Sequence, residues 1–290
     1  MRRRELLASS IIEEILGYYQ EYFTIEALED GLTVKLSSNA SQYSINGGDW
    51  VSLASGTISP SINKGQRISF KINKPGISTL YGIGTFTVSK AFNAEGNIMS
   101  LLYGDDFIGQ TDLSGKNYVF YRLFYNCTTL QSAENLILPA TTLADYCYYY
   151  MFYGCTSLTT APELPATTLA DYCYYFMFYG CTSLTTAPEL PATTLANNCY
   201  TYMFRGCTSL TTAPELPATT LANSCYVYMF YGCSNLNYIK MLATDISAIN
   251  CLSNWVGGVA ETGTFVKHPQ MTTLPSGVNG IPNGWTVENA

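Results

Sequence analysis

Residues 155–180 read CTSLTTAPELPATTLADYCYYFMFYG, and the next two stretches of equal length, 181–206 and 207–232, keep its first sixteen residues, CTSLTTAPELPATTLA, without change. Such a period decides the fold, because a repeated supersecondary unit hides its apolar face only by stacking on its neighbours. Cys147, Cys173, Cys199, Cys225 and Cys251 recur every 26 residues, and Cys155, Cys181, Cys207 and Cys233 form a second series of the same period. Cys127 opens a looser copy two residues longer, and Cys233 a degenerate one that ends near Gly258, which makes about five units.

Each unit divides into two parts. Asp145, Asp171, Asn197 and Asn223 are favoured helix N-caps, and each precedes a short stretch closed by Gly154, Gly180, Gly206 or Gly232, the residue suited to a left-handed helix end. This predicts a two-turn helix. The Cys-Thr-Ser-Leu-Thr-Thr-Ala that follows suits a short strand, ended where Pro162, Pro188 or Pro214 removes a ladder donor. Set on a helix at about 100° per residue, the invariant Tyr148, Met151 and Phe152 and their counterparts share one arc with the first cysteine. The varying positions occupy the opposite arc: Tyr146, Tyr172, Asn198 and Ser224; Tyr149, Tyr175, Thr201 and Val227; Tyr150, Phe176, Tyr202 and Tyr228; Tyr153, Tyr179, Arg205 and Tyr231. The invariant arc reads as core and the Tyr-rich arc as solvent-facing. Helices need more room than strands, so the stack should curve with the helices, and with them the tyrosines, on its convex side.

The unit resembles the bacterial surface protein 26-residue repeat and, more broadly, the BspA-like leucine-rich repeats. Their apolar-Phe pair, followed by a Cys and then by a Leu three residues further on, stands here as Met177, Phe178, Cys181 and Leu184, and the likeness covers residues 117 to 258. The resemblance implies a leucine-rich-repeat solenoid, display on a bacterial surface as in gut Bacteroidales, and adhesion; similar chains also occur in the genomes of their phages. No clear export signal opens this chain, which raises the phage reading: behind Arg2, Arg3 and Arg4 the acidic Glu5, Glu13 and Glu14 interrupt any apolar core of a signal peptide.

Around the repeats the character changes. Tyr22 to Leu28, Leu32 to Leu36 and Arg67 to Ile72 are short β-prone runs, and Asn46-Gly47-Gly48 between Tyr43 and Trp50 reads as a hairpin turn. The expected fold is α+β, in four parts. Residues 1–20 form a leader or docking arm and 21–100 a small immunoglobulin-like β-sandwich. Residues 101–258 form the solenoid of strand-plus-short-helix units, and 259–290 a C-terminal cap built around Ile281, Pro282 and Trp285. The boundary between sandwich and solenoid is expected near Gly96 or Gly104.

Charge and chemistry narrow the function. A net charge of −7, with only 12% charged residues, argues against docking to nucleic acid or an anionic membrane, and no run of eighteen apolar residues is present to span one. The cysteine columns read as buried thiols rather than bridges, since a core cysteine with equivalent neighbours on both sides has no unique partner. Their spacing matches no zinc motif and the chain has a single histidine, His268, so neither metal nor other cofactor is expected. Asp105-Asp106 reads as a turn. Glu163, Glu189 and Glu215 recur with the period, whereas catalysis needs one asymmetric pair, so they read as a solvated stripe and no enzyme is expected. The expected function is non-catalytic binding or adhesion, with the solenoid displaying Tyr149, Tyr150, Tyr153, Tyr175, Phe176, Tyr179, Tyr202, Arg205, Tyr228 and Tyr231 to a protein or surface glycan. The expected setting is a virion or bacterial surface, among other structural proteins. The alternative is a purely architectural virion or envelope component, and behind it stands a glycoside-acting enzyme, which no unique carboxylate pair supports.

Overall fold

The computed structural model describes residues 21–72 and 82–290, so the expected leader, 1–20, lies outside the described residues. The chain is mostly β. Seven strands come first: β1 (Thr24–Ala27), β2 (Val34–Leu36), β3 (Ser41–Ile45), β4 (Val51–Leu53), β5 (Arg67–Lys71), β6 (Phe86–Val88) and β7 (Phe92–Asn97). They are followed by β8 (Leu130–Ser132), β9 (Leu136–Ile137), β10 (Tyr238–Met241), β11 (Thr264–Lys267) and β12 (Thr286–Asn289). The main sheet runs β4-β3-β5-β1-β7-β8, with β9 also on β7, while β2 and β6 pair separately. Asn46 and Gly47 take φ of 50° and 73° between β3 and β4, the left-handed pair that a tight hairpin needs, and Gly48 N–H donates to the Ile45 carbonyl at 3.0 Å.

β7 joins two regimes. It lies antiparallel to β1, as do all pairs before it, but parallel to β8 and β9, which start the repeats. Gly96 in this strand has φ of 71°, and a Cβ there would stand 2.1 Å from the Tyr22 carbonyl oxygen, so the backbone preceding β1 approaches where only glycine fits. The stretch around Gly96 and Gly104 is therefore not a gap in the packing. Phe23, Phe86 and Phe92 lie against Phe124 of the first repeat coil, with ring centroids 6.0, 6.0 and 6.3 Å away, and one apolar core runs from Phe23 through Phe70 and Met177 to Trp285.

The expected two-turn helices do not form. Among the described residues the only α-helix is the single turn Ser100–Tyr103. In the second coil Tyr146, Tyr150 and Gly154 have φ of 57°, 58° and 70°, so every fourth residue is left-handed and a helical hydrogen-bond pattern cannot propagate. Backbone donors alternate instead. Cys147, Tyr149, Met151 and Tyr153 donate back three residues, to Ala144, Tyr146, Tyr148 and Tyr150, whereas Tyr146, Tyr148, Tyr150 and Phe152 donate forward to Asp171, Cys173, Tyr175 and Met177 of the next coil. The reason is spacing. Helices pack about 8 to 10 Å apart, which would splay coils whose opposite side is joined at the strand spacing of about 4.8 Å, whereas a ribbon of turns can stack at that spacing throughout. The expected curvature, and with it the convex placement of the tyrosines, loses its basis.

The expected N-caps work differently too. Asp145 and Asp171 accept from the backbone N–H of Asp171 and Asn197 at 3.1 and 2.9 Å, and Asn223 from that of Ile249 at 2.9 Å, so they tie coil to coil. The Thr-rich segments contribute isolated parallel bridges, such as Thr160 to Thr186, rather than full strands in the central coils. Left-handed triplets occur six times, beginning at Tyr118, Tyr146, Tyr172, Asn198, Ser224 and Asn250, one more than the cysteines suggested.

Two aromatic columns fill the repeat core. Phe120, Tyr148, Tyr174, Tyr200 and Tyr226 stack at 5.6 to 6.1 Å, and Phe124, Phe152, Phe178, Phe204 and Phe230 at 5.3 to 5.7 Å. Trp255 closes both at 6.2 Å, and its indole N–H donates to the Gly280 carbonyl at 2.9 Å. Trp285 repeats the device, donating to the Ala260 carbonyl at 2.8 Å. Burying each such ring contributes roughly 1.5 to 3 kcal/mol. All ten cysteines are buried and free. The thiols of Cys155, Cys181, Cys207 and Cys233 lie 3.0 to 3.1 Å from the carbonyls of Phe124, Phe152, Phe178 and Phe204, one coil back, where each S–H meets an oxygen that already accepts an N–H. Burial pushes the Cys173 and Cys233 thiols up to about 12, and those of Cys155, Cys181 and Cys207 well above the ordinary value.

Candidate binding surface

The backbone that excludes a helix also builds the surface. Residues come two inward and two outward: Cys147 and Tyr148 buried, Tyr149 and Tyr150 half-buried, Met151 and Phe152 buried, Tyr153 and Gly154 half-buried. Repetition turns each outward position into a row. One row runs Tyr150, Phe176, Tyr202, Tyr228, with centroids 4.9, 4.4 and 4.9 Å apart and rings within 19° of parallel. A second runs Tyr125, Tyr153, Tyr179 at 5.0 and 4.7 Å, then Arg205 and Tyr231. Tyr149 stands 5.4 Å from Tyr121 and 5.3 Å from Tyr175, and Tyr118, Tyr146 and Tyr172 form a fourth row at 4.5 and 4.6 Å. The aromatic surface is thus four rows wide over the second and third coils, and three in the first, where Arg122 stands in the Tyr150 row. It narrows where Asn198 and Thr201 replace tyrosines, Thr201 being buried with its hydroxyl donated to the Ser224 carbonyl.

All ten residues expected to form a site lie on this face, but they are less exposed than the sequence implied. Only Tyr231, at 38%, is exposed; the other nine are half-buried. The cause is mutual cover, since ring faces stacked at these distances hide one another and leave edges and hydroxyls to solvent. Sugar stacking on ring faces along the rows is therefore not what the ladder offers. Desolvation raises the Tyr175 hydroxyl to about 12 and raises those of Tyr149, Tyr153 and Tyr202 as well, so these groups are neutral donors at ordinary pH. The ladder also supports its own backbone. Left-handed φ at a bulky residue costs about 1 to 3 kcal/mol, and each aromatic pair returns roughly 0.5 to 1.5 kcal/mol.

Two cations are set into the face. Arg205 lies 5.5, 5.5, 5.3 and 4.9 Å from the ring centroids of Tyr179, Tyr202, Tyr228 and Tyr231. Arg122 lies 4.9, 4.7 and 5.3 Å from those of Tyr121, Tyr125 and Tyr150. Among the described residues neither forms an ion pair, whereas Lys240 pairs with the exposed Glu215 at 2.8 Å. Arg122 and the three tyrosines of the first coil, Tyr118, Tyr121 and Tyr125, were missed from sequence because that coil has Val119 where the others have cysteine. The signal was present, since residues 118–126, YVFYRLFYN, align with 146–154, YCYYYMFYG.

Other candidates take structural places. His268 Nδ1 accepts from the Gln270 backbone at 3.2 Å, and Asp105 pairs with Lys71 at 2.6 Å within the turn Gly104–Asp106. Among the described residues no three His, Cys, Asp or Glu side chains are gathered as a metal requires, and no helix is long and apolar enough to cross a membrane.

Residues 117–252 match the family model of the BspA type leucine rich repeat region in six copies, the number of left-handed triplets. This stretch of the chain is a BspA-type leucine-rich repeat region. Repeats of this family typically serve as non-catalytic binding scaffolds and are often surface-exposed. Neither the curated proteins nor the solved structures contain a match to this chain.

Proposed function

We propose that this BspA-like protein is a non-catalytic binding or adhesion component of a phage particle or bacterial surface, and that its tyrosine face is the recognition surface for a protein or glycan. In this reading residues 1–20 are a docking arm, 21–100 a β-sandwich module, 101–258 a solenoid and 259–290 its cap, a division by sequence pattern across one continuous core. The observation that carries it is the width of the outer ladder. Two rows would brace the coils, yet the second and third coils carry four, flanked by Arg122 in the first coil and Arg205 in the fourth, neither of which forms an ion pair among the described residues. Tyrosine supplies contact area and hydroxyls at low entropic cost, which suits recognition.

A purely architectural role is the second reading, favoured by the same ring stacking, which ties coil to coil. A glycan array probed with the full chain separates the two: recognition predicts selective retention that the Tyr150→Asn/Tyr202→Asn double variant loses, and an architectural role predicts none. Peptide identification on purified native particles tests the setting, and absence of the chain from both virions and cell envelope would overturn it.

A further inference from the structure

Arg205 and Arg122 carry the inference. A guanidinium held over aromatic faces keeps its fork of N–H donors in the ring-parallel plane, where it meets a planar oxyanion with two parallel hydrogen bonds. Arg205 is surrounded by four tyrosines, has no carboxylate partner among the described residues, and lies on a stretch of face that contains no Asp or Glu: residues 172–180, 198–206 and 224–232 contain neither. The same position is Tyr153, Tyr179 and Tyr231 in other coils, so nothing in the packing of the unit calls for a cation there. Arg122 stands three coils away, roughly 14 Å along the stack at about 4.8 Å per coil, one row across, and its Nε is buried without a hydrogen-bond partner among the described residues.

We propose that the tyrosine face binds an anionic glycan, a polymer of carboxylated or sulfated sugars that Arg205 and Arg122 grip at two acidic groups while the tyrosine hydroxyls between them bond to sugar hydroxyls. The proposal rests on the recognition reading above and names its ligand class. A glycan fits better than an acidic peptide because the face offers hydroxyls and ring edges, which meet sugar hydroxyls. The concavities at Glu21, Tyr22 and Arg67 and at Val256, Val259 and Val278 lie off the ladder. With a net charge of −7 the chain provides little long-range attraction for a polyanion, so capture depends on these two local contacts and weakens with salt.

The test uses Arg205→Tyr and Arg122→Tyr, which put into each coil the residue its neighbours carry and so keep the ladder. Binding of immobilised alginate, dextran sulfate, neutral dextran and poly-L-glutamate is measured with the full chain. The expected result is retention on alginate or dextran sulfate but not dextran, reduced at least tenfold by Arg205→Tyr and further by the double variant, with the melting temperature unchanged or raised. Equal binding of dextran, or anionic binding indifferent to both substitutions, overturns the anionic assignment while leaving the recognition face standing. Stronger retention on poly-L-glutamate than on either acidic glycan overturns the glycan class. No binding to any of the four probes, together with a blank glycan array, overturns both this proposal and the recognition reading.

Discussion

The strands before β7 and the coils after it solve the same problem by different means. In the first region each backbone finds its partner through antiparallel pairing of unlike segments: β1 lies between β5 and β7, and Phe23, Phe70 and Phe86 meet at tilted angles in a core that no other part of the chain repeats. In the second, each coil is bonded to a near copy of itself 26 residues on, or 28 for the first, and in the central coils ring lies on like ring within a few degrees of parallel. The first region has no replaceable part. The second is close to one-dimensional, so its stability is a sum over units and interfaces and a unit can be lost without losing the plan.

The sharpest way to break this comparison is deletion. Removing residues 181–206 joins Gly180 to Cys207 and recreates the Gly-Cys-Thr-Ser-Leu junction, so the shortened chain should remain folded by circular dichroism with a lower melting temperature. Removing Thr24–Ala27, the strand between β5 and β7, should leave the first region unfolded. If both deletions behave alike, the contrast is wrong.

Alkali should act chiefly on the coils. The folded pKa of each core thiol is raised by burial, so its contribution is complete below the unfolded value near 9 and is lost as pH rises from there towards about 12 for Cys173 and Cys233. Each such group removes about 1.4 kcal/mol per pH unit in that window, and urea melts at pH 8, 9, 10 and 11 should show a steep cooperative loss. A flat profile would show that the columns are not desolvated thiols.

Core truncation should cost less than alkali but remain large. Met203→Ala or Phe204→Ala should lose about 2 to 5 kcal/mol in denaturant melts, because neighbouring coils hold the column open around the cavity. The glycines sharpen the comparison further. Gly180→Ala should cost about 1 kcal/mol, since φ is 71° but the nearest atom to a Cβ is 3.9 Å away, whereas Gly96→Ala must move the Tyr22 backbone and should cost clearly more. The smallest effect belongs to the face: Tyr202→Asn trades a stacked ring for a residue that tolerates left-handed φ, as Asn254 already does two coils on in the same row, and should shift stability by less than about 1.5 kcal/mol.

Inward and outward positions were legible in the sequence although the helix was not. Over nine residues a two-in, two-out pattern of period four and a helical period of 3.6 sort Cys147, Tyr148, Met151 and Phe152 onto one side alike, so the wheel separated core from surface on a mistaken backbone. The asparagines at 126, 198, 250 and 254 and the glycines closing the coils mark left-handed positions. Tyr150, Phe176 and Tyr202 at the same kind of position conceal it, since bulky residues adopt it only when stacking across coils offsets the strain.

By itself, then, the sequence determined the period, the two cysteine columns, the invariant apolar side of each unit and the tyrosine side opposite, because identical units can be stacked in register and each residue type repeats its environment. Only the tertiary structure decided the backbone between them and the character of the face. Whether Tyr146 and Tyr150 donate within the coil or to the next one depends on what lies one coil away, and a spacing of about 4.8 Å admits a ribbon of turns but not a helix. That same spacing closes the rings on one another, turns their edges outward, and sets Arg122 and Arg205 among them without a carboxylate partner among the described residues.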